Sequence, residues 1–105
     1  MSNDLASRLA KLVVQYSIAV QKGNTVLIVG STEAIPFINE LYRETLRAGG
    51  HPLTRIEAPG QKYILMKEAQ EHQLEYENPF DLHLAQSVNA AIMIASDTNT
   101  RELTS

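Results

Sequence analysis

The 105-residue chain contains no cysteine. That excludes a disulfide framework, a thiolate nucleophile and a cysteine-based zinc site, and it leaves the charge pattern and three histidines to carry any chemistry. An excess of positive charge is missing too. Nine Lys and Arg against 12 Asp and Glu give a formal charge of -3, the wrong sign for a domain that tracks a phosphate backbone, so no nucleic-acid partner is expected. The longest hydrophobic runs, Val26 to Val29 and Ala90 to Ala95, fall far short of the roughly 20 residues that a bilayer span needs. Asp4, Arg8 and Lys11 interrupt the first apolar residues, which rules out a signal-peptide core there. The expectation is a soluble protein with no membrane partner, in the cytoplasm.

What is present is ordinary for a globular domain. Hydrophobic residues make up 44% and charged residues 20%, with no internal repeat, low-complexity tract or linker, so residues 1–105 read as one α/β domain. Leu5, Leu9, Leu12, Val13, Tyr16 and Val20 recur at helical spacing opposite Arg8, Lys11 and Gln15, predicting an amphipathic helix over 4–20 with Asp4 as its cap and Gly23 as its stop. The run 25–29 is apolar and mostly β-branched, the pattern of a strand covered on both faces and central in a parallel sheet. Residues 31–48 return to helical periodicity. Phe37, Ile38, Leu41, Tyr42, Thr45 and Leu46 form the expected core stripe, Pro36 sits in the first turn, and Gly49-Gly50 ends the helix. Glu40 with Arg43 and Glu44 with Arg47 are expected as solvated i,i+3 pairs contributing about 0.2–0.5 kcal/mol each.

His51 to Glu57 reads as an edge strand, because Pro52 cannot donate to a ladder and charged residues alternate with apolar ones. A turn at Ala58-Pro59-Gly60 leads to a weaker helix over 61–74, with Ile64, Leu65, Met66 and Ala69 as a narrow stripe. Asn78-Pro79 opens a short helix in which Phe80, Leu84, Ala85 and Val88 are expected to face the core. Ala90 to Ala95 then forms a third buried strand. This order predicts a three-layer, doubly wound α/β fold with a mainly parallel sheet and strand order 2-1-3, whose two right-handed crossovers leave the first strand in opposite directions. Residues 96–105 resemble a loop into a helix that is never completed. The sheet is therefore expected to be incomplete, with the edge of a hydrophobic strand left open.

Few constellations suggest chemistry. Gly30-Ser31-Thr32-Glu33 lies where doubly wound folds cradle phosphates. However, no glycine-rich motif is present, Glu33 opposes an anion, and a plain helix cap is favoured. Ser31 lacks both the nucleophile-elbow motif and a histidine placed as its base. Glu68 and His72 stand four residues apart on the expected third helix, a spacing that brings two ligands to one face, yet Lys67, Glu71 and Glu75 around them describe a solvated surface. Asp81 and His83 diverge on a helix. His51 follows a helix carboxyl terminus and reads as a turn residue. Asp97 to Glu102 would lie at the carboxyl end of the third strand, where such sheets place ligands, with Asp97 or Thr98 as a helix cap the simpler account. No catalytic, cofactor-binding or metal-ligating residue is assigned.

The stretches 9–17 (LAKLVVQYS), 20–28 (VQKGNTVLI), 41–52 (LYRETLRAGGHP), 72–75 (HQLE) and 99–103 (NTREL), in this order and spacing, resemble the amino-terminal domain of the M29 family of metal-dependent aminopeptidases. The resemblance implies an amino-terminal, non-catalytic α/β lobe bordering the active-site cleft of a larger hydrolase. In that family two divalent metal ions of the zinc or cobalt type act on peptide amino termini, and the ligands lie in a carboxyl-terminal domain absent from these 105 residues. None of the three histidines falls on a family ligand position, so this chain is expected to hold no cofactor and to be inactive alone. Its expected partners are that missing domain and, in the intact enzyme, the peptide substrate; a homo-oligomer is also possible. The alternative is a stand-alone α/β binding or oligomerisation module.

Overall fold

The computed structural model describes residues 3–95. In chain order it contains α1 (Asn3–Leu12), a π-helical turn (Val13–Ser17), β1 (Thr25–Ser31), a 3-10 turn (Thr32–Ala34), α2 (Ile35–Arg47), β2 (His51–Glu57), α3 (Gln61–Glu68), α4 (Glu71–Leu74), α5 (Pro79–Ser87) and β3 (Ala90–Met93). The three strands form one open parallel sheet in the order β2-β1-β3. Register runs from Thr25 opposite His51 to Ser31 opposite Glu57, and from Val26 opposite Ala90 to Val29 opposite Met93. Asn89 fixes the start of β3: its backbone N–H donates to the Thr25 carbonyl at 2.8 Å and its Oδ1 accepts from the Thr25 N–H at 2.7 Å. The expected α/β class, strand order and edge position of the second strand all hold.

The core forms because β1 offers four consecutive apolar side chains, and both of its faces can be covered. Val26 and Ile28 join Ala10, Val14, Ile38 and Leu41 in one buried cluster, against which Ile92 and Ile94 also pack. Gly30 lets α2 start close to the sheet, since a Cβ there would lie 3.0 Å from Ile38 Cδ1. Gly49, at φ +88, ends α2 as expected: the Gly49 N–H donates to the Leu46 carbonyl at 3.0 Å and the Gly50 N–H to the Thr45 carbonyl at 2.9 Å, the bonding of a left-handed helix stop.

Several expectations are corrected. The apolar stripe of α1 is rotated: Ala10 and Val14 are buried, Val13 and Val20 are half-buried, and Leu5, Leu9, Leu12 and Tyr16 are exposed. Small Ala10 permits the close approach to the core, and the π-helical turn shifts the positions after Leu12. The first helical segment also ends at Ser17, and Gly23 (φ +86) serves the turn into β1. Asp4 lies inside the first turn, where it pairs with Arg8 at 3.5 Å. On α2, Ile38, Leu41 and Thr45 are buried and Phe37 half-buried, while Tyr42 and Leu46 face outward. Glu40 and Glu44 make the expected pairs with Arg43 (3.7 Å) and Arg47 (2.8 Å), but both carboxylates are buried, because this flank of α2 is enclosed by the fold.

The helix expected over 61–74 is interrupted at Ala69, whose extended backbone (ψ 145) separates α3 from α4. Asn78 caps α5 through its Oδ1, which accepts from the Phe80 N–H at 2.9 Å. Within α3, α4 and α5 no residue is buried. Phe80 and Ala85 are exposed, and Leu84 and Val88 half-buried. The third strand is shorter than expected and only half covered, its residues alternating between half-buried and exposed.

Candidate functional site

Open α/β sheets receive ligands outside the carboxyl ends of their strands, at the point where the chain leaves a strand in opposite directions. Here that point is the end of β1, flanked by β2 and β3. A cleft of about 890 Å³ opens there, lined by Ser31 from β1, Arg55 and Glu57 from β2, Lys62 and Leu65 from α3, and Ile94 after β3. The strands supply the positions. Ser31 and Glu57 are register partners at the last pair of the β1–β2 ladder, and the turn through Pro59 brings Lys62 back across the mouth.

Charge in the cleft is nearly balanced. Arg55 Nη1 donates to Asp81 Oδ1 on α5, so that cation is already matched. Lys62 and Glu57 line the same cleft. The Ser31 hydroxyl donates to Glu33 Oε1, which brings a carboxylate to the loop that would have to cradle a phosphate. Ser31 therefore flanks the 3-10 turn without capping it, and the phosphate and nucleophile readings of residues 30–33 find no support. Among the described residues no histidine lines this cleft.

A second groove, of about 680 Å³, runs along α3 and α4 and includes Glu68, His72 and Tyr76. The break at Ala69 places Glu68 and His72 on different helices, so their spacing in sequence no longer aligns them on one helical face. His83 is exposed, and its carbonyl accepts from Ser87 Oγ at 2.7 Å. His51 is exposed at the start of β2. Among the described residues no group of three or more His, Cys, Asp or Glu is arranged to hold a metal ion. The loop from Asp97 to Glu102 lies outside the described residues. Sequence reasoning missed the Arg55–Asp81 tie and Lys62, because partners 26 residues apart on different elements leave no periodic signal.

No helix among the described residues is long and apolar enough to cross a membrane. Comparison with curated proteins finds no match. Among solved structures, wild-type AmpT from Thermus thermophilus is similar, with a TM-score of 0.68 at 18% identity over 88% of this chain and 24% of that one. That likeness concerns the fold, and this chain spans about a quarter of the length of the structure it matches. The sequence itself matches the family described as thermophilic metalloprotease (M29) over residues 2–105, and the chain belongs to that M29 family.

Proposed function

We propose that this chain is the amino-terminal, non-catalytic α/β lobe of an M29 metalloaminopeptidase whose whole chain removes amino-terminal residues from peptides with two divalent metal ions. The observation that carries this reading is the combination of a family match over residues 2–105 with a fold shared by only a quarter of the solved AmpT chain. A two-metal hydrolase needs several carboxylate and imidazole ligands converging on ions roughly 3.5–4 Å apart. The described residues do not fit that requirement, since they contain no such group, and no chemical step is assigned to them. In this reading the zinc- or cobalt-type ions and the reacting peptide belong to the whole enzyme, and the lobe borders their cleft. A cytoplasmic location accords with a chain that uses no cysteine.

The test is hydrolysis of aminoacyl chromogenic substrates by the purified 105-residue protein supplied with Zn²⁺ or Co²⁺. Rates equal to a protein-free control are expected. Metal-dependent turnover by this chain alone would overturn the assignment.

A further inference from the structure

The two crossovers of the sheet are held very differently. Between β1 and β2, α2 buries Ile38, Leu41 and Thr45 and packs on α1, β1 and β2. Between β2 and β3, the helices α3, α4 and α5 bury no residue, and none of the extensive contacts between elements among the described residues involves them. They are eight, four and nine residues long, shorter than the roughly 12–15 residues an isolated helix needs to hold in water. Their helical state therefore depends on staying docked.

Both ends of this stretch are fixed. Gly60, at φ +90, turns the chain after Pro59, and the Gln61 N–H donates to the Ala58 carbonyl at 3.4 Å. At the other end, Asn89 is joined to Thr25 of the central strand by two hydrogen bonds, of 2.8 and 2.7 Å. Between these anchors the Arg55–Asp81 pair joins β2 to α5. The stretch also bounds the cleft at the end of β1: Lys62, Ile64 and Leu65 of α3 line it together with Ser31 and Ile94.

We propose that residues 61–87 form a lid on this cleft, which opens by local unfolding between Gly60 and Asn89 while β1, β2 and α2 stay intact, with the Arg55–Asp81 pair as its latch. The strength of the pair suits that role. Its side chains are 47% and 51% exposed, so it is solvated and screened by salt, and it biases opening without preventing it. Free energies of local opening range from near zero up to that of global unfolding, and segments with few buried contacts occupy the low end. The proposal rests on the contacts of this chain and is independent of its assignment to a larger enzyme.

Amide hydrogen exchange of the 105-residue protein tests it. Helical amides of 61–87 should exchange at least about a hundredfold faster than those of β1 and of the buried side of α2. Arg55→Ala and Asp81→Asn should each raise exchange in 61–87 by a further factor of about two to five, with β1 and α2 unchanged. The charge-reversed pair, Arg55→Asp with Asp81→Arg, should return it to the original rate. Added salt should raise exchange in the original protein and leave the single variants as they are. Because the chain has no cysteine, Ser31→Cys reports on the cleft without background. Its labelling by a thiol reagent should rise by the same factor when Asp81→Asn is added. Exchange in 61–87 as slow as in β1 overturns the proposal. So does a rise in the variants that spreads equally over β1 and α2, the mark of lower global stability, or labelling of Ser31→Cys that is indifferent to Asp81→Asn.

Discussion

Replacing Gly50 by alanine tests the packing at the junction of α2, β1 and β2. A Cβ at this position would lie 2.9 Å from Val20 Cγ1, 3.1 Å from the Asn24 carbonyl oxygen and 3.1 Å from Thr45 Cγ2. The Val20 methyl can move. The Asn24 carbonyl is held, because it accepts from the His51 N–H at 2.7 Å where β1 and β2 begin to pair. Thr45 is held as well, being fully buried with its Oγ1 donating to the Leu41 carbonyl at 2.8 Å. Overpacking against fixed groups costs about 1–3 kcal/mol, and the smaller entropy of an unfolded alanine chain returns about 0.4–1 kcal/mol. The net expectation is a loss of about 1–2 kcal/mol, which for a domain of this size lowers the melting temperature by roughly 4–16 °C. Urea unfolding should show a lower midpoint with an unchanged slope. A Gly50→Ala protein as stable as the original would refute the claim that this junction is rigid.

Other substitutions separate the core from the surface. Ile28→Ala, at a fully buried position of the central strand, should cost about 2–5 kcal/mol in urea unfolding. Thr45→Val keeps the shape and removes one hydrogen bond, so a loss of about 1 kcal/mol is expected in the same assay. A double-mutant cycle on Arg55→Ala and Asp81→Ala should give a coupling below about 1 kcal/mol that shrinks with added salt, because the two side chains are 47% and 51% exposed. Gly23→Ala meets no neighbour within 4 Å but must adopt φ +86. A loss of about 1–2 kcal/mol from backbone strain alone is expected, and restored stability in Gly23→Asn would support that cause.

The backbone plan was legible because its signals are local. The run 25–29 marks β1 by composition, Pro52 and alternating charges mark β2 as an edge, Gly49-Gly50 marks the end of α2, and crossover handedness then orders the strands. Side-chain burial was less legible. The hydrophobic stripe Leu5, Leu9, Leu12 and Tyr16 looks like a core face, yet small Ala10 and Val14 take that place. Apolar periodicity marks a face without showing whether the fold covers it. Glu40 and Glu44 were read as solvated because pairing at i,i+3 is a property of the helix alone, whereas their burial depends on tertiary neighbours. The same limit applies to the cleft. Ser31 was visible at a strand end, but Arg55 and Lys62 reach the cleft, and Asp81 reaches Arg55, only once β2, α3 and α5 are folded against one another. Family membership came from spread-out resemblance that no single motif carries.

The central claim is that metal chemistry belongs to M29 residues other than those of this chain. Calorimetric titration of the 105-residue protein with Zn²⁺ tests it most directly. The account predicts no saturable micromolar site, since Glu68 and His72 lie on separate helices and no third ligand joins them among the described residues. Tight uptake of two zinc ions per chain would contradict it.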